Sequence, residues 1–122
     1  MDLFKSTKDS GQQGEDIALA FLLKKGFKLI QRNFRSRAGE IDLIMQNENS
    51  LIFVEVRYRS SNKFGGALYS VDKKKQSKLI KCAQQYLLKN PTKTETRFDV
   101  IAISPSVGQH EIQWITNAFD EF

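Results

Sequence analysis

The chain is poor in the residues that build covalent or histidine-based sites. Its 122 residues include one cysteine, one histidine and two prolines. A single thiol cannot close an internal disulfide, which fits a reducing cytoplasm. Without a cluster of histidines and cysteines, a zinc centre is disfavoured. No stretch approaches the roughly 20 apolar residues of a membrane span, so no membrane role is expected. The opening residues Met1-Asp2-Leu3-Phe4-Lys5-Ser6-Thr7-Lys8 lack an apolar core of signal-peptide length, and export is not expected. These absences point to the cytoplasm. Cys82 itself falls in an apolar helical stripe and reads as a buried structural thiol rather than a nucleophile.

The hydrophobic periodicity that is present supports one domain spanning residues 1–122, long enough for a single core and too short for two. Residues 1–9 are polar and expected to be flexible. A helical pattern runs from Gln12 to Lys25, with Glu15 and Asp16 in the first turn and Gly26 as its C-terminal cap. It is apolar on nearly every side and should be well buried. Phe27–Phe34 reads as a strand, followed by strands at Gly39–Ile44 and Leu51–Arg57. Arg59–Tyr69 reads as a loop and Val71–Lys89 as a second helix, ended by Asn90-Pro91. Arg97–Ile103 is a strand with an apolar run, which suggests a covered, central position, and Glu111–Ile115 alternates like an edge strand. Asn117–Phe122 reads as a short helix or a tail. The order is α-β-β-β-α-β-β, an α/β fold with a mixed five-stranded sheet flanked by helices.

Two of these strands carry a carboxylate inside an apolar, β-branched run: Asp42 in Gly39-Glu40-Ile41-Asp42-Leu43-Ile44, and Glu55 in Leu51-Ile52-Phe53-Val54-Glu55-Val56-Arg57. Carboxylates are rarely buried unless something charged meets them. Gln46-Asn47-Glu48-Asn49-Ser50 between them is rich in turn formers. A two-residue turn at Glu48-Asn49 pairs Ile44 with Phe53 and sets Asp42 opposite Glu55, on one face with Arg57 and about 5 Å apart at Cβ. Opposed like charges need a counter-charge. Mg²⁺ suits the role, since it is commonly held by one or two carboxylates and completes its shell with water and phosphate oxygens. The other reading is two acids in structural ion pairs with neighbouring lysines or arginines. Glu15 shares a helix face with Ala18, Leu19 and Leu22. It either reaches the rim of the sheet near this pair or simply complements its own helix dipole.

The net charge is +5, and its distribution matters more than its size. Lys73, Lys74, Lys75, Lys78 and Lys81 crowd the first half of the second helix, where the helix dipole makes lysine unfavourable. The surplus reads as phosphate binding, extended by Arg57, Arg59 and Lys63, or else as an ordinary solvated face. Tyr58, Phe64 and Tyr69 interleave with these charges and either stack on bases or pack in the core. Gly65-Gly66 permits a close backbone approach or makes a turn. His110 reads as structural or solvent-exposed, and Trp114 as core or edge packing rather than recognition.

The arrangement Asp42…Glu55-Val56-Arg57 resembles the PD-(D/E)XK nuclease pattern. With Gly14-Glu15, Asn33-Phe34-Arg35, Gly39–Ile44, Phe53–Arg57, Phe64-Gly65 and Arg97-Phe98-Asp99-Val100, the chain more closely resembles the bacterial YraN family, from about Gly14 to Trp114. That family is similar to Holliday-junction resolvases. The resemblance implies a restriction-endonuclease-like fold and an acidic cluster of Glu15, Asp42 and Glu55, with the Val56 carbonyl completing the metal site. It departs from the superfamily at Arg57, where a lysine is typical. Arginine cannot lose a proton to activate water, but it can clamp the scissile phosphate and stabilise charge.

The expected function is therefore a Mg²⁺- or Mn²⁺-dependent endonuclease acting on DNA, with branched DNA suggested by the resemblance and RNA left open. Asp42 and Glu55 hold the metal with the Val56 carbonyl, Glu15 assists directly or through water, and Arg57 orients the phosphate. Arg59, Lys63, Lys73, Lys74, Lys75 and Lys78 bind the nucleic-acid backbone. The alternative is a binding module that kept the fold and lost the chemistry. A homodimer fits resolvase-like action, although no interface signature is visible in the sequence.

Overall fold

The computed structural model describes residues 7–58, 71–106 and 108–119. Helix α1 (Thr7–Lys24) leads into strands β1 (Lys28–Ser36), β2 (Gly39–Gln46) and β3 (Ser50–Tyr58). Helix α2 (Lys73–Lys89) follows, then β4 (Glu95–Ser106) and β5 (Gln109–Phe119). This is the expected element order, and it makes a restriction-endonuclease-like α/β fold. The strands form one sheet in the order β1-β2-β3-β4-β5. All neighbours are antiparallel except β3 and β4, which the α2 crossover makes parallel. A parallel pair needs such a crossover, because a tight turn reverses direction.

The helices cover opposite faces of the sheet. Alternation along β3 sends Leu51 and Phe53 to the α2 side, against Leu79, Cys82, Ala83 and Tyr86. Ile52 and Val54 go to the α1 side, against Ala18 and Leu22. Phe53, Phe98 and Tyr86 build the centre of the α2-side core, with ring centroids 5.3 Å (Phe53–Phe98) and 5.9 Å (Phe53–Tyr86) apart. Truncating a ring buried like this costs about 3–5 kcal/mol.

Several features differ from the sequence reading. Helix α1 begins at Thr7, five residues before Gln12, so Thr7–Asp9 are helical. It buries one stripe rather than every side: Ala18 and Leu22 are fully covered, while Leu23 is 49% exposed. A helix lying on one face of a sheet has only one side to bury. Strand β5 continues through Asn117, Ala118 and Phe119, where a short helix or tail was expected. A bulge explains the extension. The β4–β5 register shifts between Phe98 and Val100, and Asn117 adopts a left-handed φ of 49° there. Its N–H donates to Asp99 Oδ1 at 2.9 Å. Asp99 is fully buried and also takes Arg97 and the Trp114 indole N–H. Finally, α2 starts at Lys73, with Asp72 as its N-cap.

The β2–β3 hairpin has the register expected from its turn. Asn47 Oδ1 accepts from the N–H groups of Asn49 (2.9 Å) and Ser50 (2.7 Å), and the Asn47 N–H donates to the Ser50 carbonyl. Ile44 therefore lies opposite Phe53 and Leu43 opposite Val54. The β2–β3 ladder ends at that last pair. Beyond it β2 stays paired with β1 as far as Gly39, and β3 stays paired with β4 as far as Tyr58. The sheet is forked at this end.

Candidate functional site

Asp42 and Glu55 are the first residues past the end of the ladder, one on each prong of the fork. Continuing the register by one step sets them opposite each other, as the turn predicts. A fork leaves backbone groups that a ladder would pair, and buried ones need partners. The Val56 N–H finds one in Asp42 Oδ2, at 2.8 Å. The carboxylate thus holds the prongs together and is itself held. Asp42 and Glu55 are also hydrogen-bonded to each other through their side chains.

Residue alternation changes phase at this point. Ile41 packs on the α2 side, yet Leu43, two residues on, packs on the α1 side. The neighbouring strand bends with it. Arg32 reaches the α1 acids, while Phe34 packs on Tyr86 at 5.2 Å. Between them Asn33, which the β1–β2 register sets across from Asp42, has a φ of 53°. Asparagine tolerates the left-handed region better than most residues, and such backbone strain concentrates at functional sites.

Two further acids complete a cluster at the fork. Carboxylate oxygens of Glu15, Glu40 and Asp42 lie within 4.8 Å of one another. Glu15 arrives from α1, which can approach β3 closely because position 14 is glycine. A Cβ on Gly14 would sit 3.1 Å from the Tyr58 Cβ. Arg32 Nη2 steadies the helix, 2.7 Å from Asp16 and 3.6 Å from Glu15. The Asn33 amide, turned so that its nitrogen faces the acids, donates to Glu15 at 3.1 Å and to Glu40 at 3.2 Å. Glu40 and Asn33 are the residues that the sequence reading left without a role. For Glu40 the signal was present: it lies two residues before Asp42, on the same strand. For Asn33 there was none, since its role follows from a backbone conformation.

Burial, and then the Asp42 charge, push the Glu55 carboxyl from the usual 4.5 up to about 7, against the opposing pull of Lys75 and Arg57. Asp42 is raised chiefly by burial, which the Val56 N–H partly offsets. Glu15 is raised by burial and by Asp42. The acids are short of positive charge even with two cations beside them. Those cations converge on one oxygen: Arg57 Nε is 3.3 Å and Lys75 Nζ 3.6 Å from Glu55 Oε2.

The placement of Lys75 differs from the expected outward patch. Its side chain is 38% exposed and belongs to the acid cluster, whereas Lys73, Lys74 and Lys78 face solvent. Asp72 sits before the first turn of α2, which contains no acid, and its Oδ1 accepts from the Lys75 N–H at 2.8 Å. Arg59, Lys63, Phe64, Gly65, Gly66 and Tyr69 lie outside the described residues. Tyr58 packs on Gly14, and its hydroxyl lies 3.3 Å from Nε2 of the exposed His110. Trp114 packs edge-on against Phe21 and Phe27. Cys82 is buried, as expected, with Sγ accepting from Ser36 Oγ and donating to the Gly39 carbonyl. Among the described residues, no helix is long and apolar enough to cross a membrane.

The donors gathered at the fork are all oxygens: the carboxylates of Asp42, Glu55, Glu15 and Glu40, with the backbone of Val56 adjacent. This is the chemistry of a hard divalent cation such as Mg²⁺ or Mn²⁺ and not of zinc. The raised Glu55 carboxyl fits the same group, because a cation would relieve the repulsion that raises it.

Residues 14–103 match the family model described as "Uncharacterised protein family UPF0102". The UPF0102 protein of Shewanella loihica is 49% identical over 109 residues, covering 89% of this chain and 92% of that one. That of Nitrosomonas europaea is 46% identical over 116 residues, covering 95% and 98%. That of Alcanivorax borkumensis is 43% identical over 122 residues, covering 98% of both. The matched span begins at Gly14 and so contains every residue of the acid cluster.

Proposed function

The chain belongs to the UPF0102 (YraN) family, and on that premise we propose that it is a Mg²⁺- or Mn²⁺-dependent endonuclease that hydrolyses phosphodiester bonds in DNA. The observation that carries this reading is the buried Asp42–Glu55 pair at the end of the forked ladder, where two carboxylates meet with too little positive charge. In this reading Asp42 and Glu55 hold the metal with the Val56 carbonyl, and Glu15 joins directly or through water. Glu40 extends the acidic wall, and Asn33 steers Glu15 and Glu40. A bound divalent cation would polarise the phosphoryl oxygen and lower the pKa of a bound water.

Arg57 sits beside this centre and stabilises charge on the scissile phosphate. Water oxygen bonds to phosphorus, one phosphorus–oxygen ester bond breaks, and the leaving oxygen takes up a proton while the water releases one. Lys73, Lys74 and Lys78 contact neighbouring phosphates without reading sequence, and Arg59 and Lys63 extend that contact from the adjoining segment. Resemblance to resolvases makes branched DNA the substrate of choice and a homodimer the working assembly, in the cytoplasm.

The second reading is a DNA- or RNA-binding module that has lost the chemistry. It is favoured by one observation: Arg57 stands at the usual lysine position and is already engaged with Glu55 at 3.3 Å. Purified protein is incubated with duplex, single-stranded and four-way-junction DNA across a Mg²⁺ and Mn²⁺ titration, with Glu55→Ala in parallel. The nuclease reading expects metal-dependent cleavage that the variant lacks. Cleavage that survives Glu55→Ala would reject the site, and intact binding without cleavage would establish the module.

A further inference from the structure

The five lysines in the first half of α2 are not equivalent. Lys73, Lys74, Lys78 and Lys81 face solvent, while Lys75 points into the acid cluster, with Nζ 3.6 Å from Glu55 Oε2. Its position is built rather than incidental. Asp72 caps the helix by accepting from the Lys75 N–H itself at 2.8 Å, and the Gln76 side chain ties the same turn to the Val71 carbonyl at 2.9 Å. Strand β3 supplies its own cation, Arg57, to the same carboxylate oxygen. One acidic oxygen therefore carries two cations, one from the strand and one from the helix.

The two are chemically different. A guanidinium is a flat fork matched to a carboxylate or phosphate face. An ammonium is a compact charge with three donors that can point in different directions. One of those donors can stay on Glu55 while the others face an incoming water and a phosphate oxygen. We propose that Lys75 is a catalytic residue of the nuclease reaction, its ammonium holding the attacking water and a non-bridging oxygen of the scissile phosphate beside Glu55. The helix thus supplies the ammonium that the strand, with arginine at position 57, does not. Lys75 acts as a fixed positive charge, and it is distinct in role from the outward lysines of the same helix. This assignment rests on the nuclease reading above.

The test separates binding from turnover. Lys75→Gln, Lys75→Arg and the neighbouring Lys74→Gln are compared with the unaltered protein, with circular dichroism confirming the fold of each. Each is assayed for dissociation constant on a four-way junction in Ca²⁺ and for single-turnover cleavage at saturating DNA and Mg²⁺. Lys75→Gln should lower the single-turnover rate by roughly 10²-fold, the scale of losing one transition-state donor, with little change in affinity. Lys75→Arg should bind normally and recover only part of the rate. Lys74→Gln should weaken binding, the loss expected of an outward phosphate contact. If Lys75→Gln instead behaves like Lys74→Gln while the unaltered protein cleaves, the Lys75 assignment falls and the nuclease reading stands. If the unaltered protein cleaves nothing, the nuclease reading falls and takes the assignment with it.

Discussion

Replacing Glu55 by glutamine should make the metal-free protein more stable at pH 8. The Glu55 side chain is 6% exposed and contacts both Arg57 and Lys75. If those contacts dominated, removing one partner of a buried ion pair would cost about 3–5 kcal/mol. The raised carboxyl says otherwise. Burial and the Asp42 charge outweigh both cations and push it from 4.5 to about 7. The folded state then binds a proton that the unfolded state has released. Stability is complete below pH 4.5 and falls as the pH rises through about 7. At about 1.4 kcal/mol per pKa unit, the ionised carboxylate costs about 3 kcal/mol above pH 7. Glutamine removes that charge and keeps the shape. For a domain of this size, about 3 kcal/mol corresponds to roughly 10 °C in Tm. The assay is thermal unfolding in EDTA from pH 5 to pH 8.5. The unaltered protein should lose stability across that range, and the variant should stay nearly flat and exceed it at pH 8. Added Mg²⁺ should restore the unaltered protein at pH 8 and do little at pH 5. A variant less stable than the unaltered protein at pH 8 would refute the reasoning and make Glu55 an ordinary structural ion-pair partner.

Other perturbations probe the scaffold and the basic face separately. Asp99→Ala leaves Arg97, the Trp114 indole and the Asn117 N–H without their common acceptor, so urea unfolding followed by Trp114 fluorescence should register a loss of about 3–5 kcal/mol. Replacing Lys73, Lys74 and Lys78 with glutamine should reduce the slope of log affinity against log salt on duplex DNA by about 2–3; an unchanged slope would leave these lysines as a plain solvated face. Gly11→Ala, with nothing within 4 Å of its new Cβ, should stabilise α1 by about 1 kcal/mol. Gly14→Ala, 3.1 Å from the Tyr58 Cβ, should fall short of Gly11→Ala by at least about 1 kcal/mol, and in chemical denaturation equal gains at both positions would mean that Tyr58 yields freely.

Much of the fold and half of the site could be read along the chain. The Glu48-Asn49 turn and the alternation around Phe53 carry the hairpin register, because a pleated strand has a period of two and an even loop preserves facing pairs. The apolar run at Val100–Ile103 announces a covered strand for the same reason. Where the reading stopped short, the signal was not periodic. Asn117 joins β5 through a bulge held by Asp99, eighteen residues away in sequence. Asn33 matters through a φ of 53°, which no side-chain pattern encodes. Glu40 was visible but undistinguished, since alternation alone does not say which of two acids on a strand will meet a helix.

The sequence by itself determined the element order, the opposition of Asp42 and Glu55, and the oddity of an arginine at position 57. These depend on neighbours along one strand or across one turn. The tertiary structure decided that the ladder stops at Leu43–Val54, opening a fork in which Val56 binds Asp42. It brought Glu15 down from one helix and Lys75 from the other, two residues sixty apart in the chain and on opposite layers of the sheet. It also set the protonation of Glu55, because burial and through-space charge exist only once the layers have packed. A lysine patch that looks uniform along the first half of α2 becomes four outward charges and one inward one when the helix is laid on the sheet, and that difference of direction is a property of packing alone.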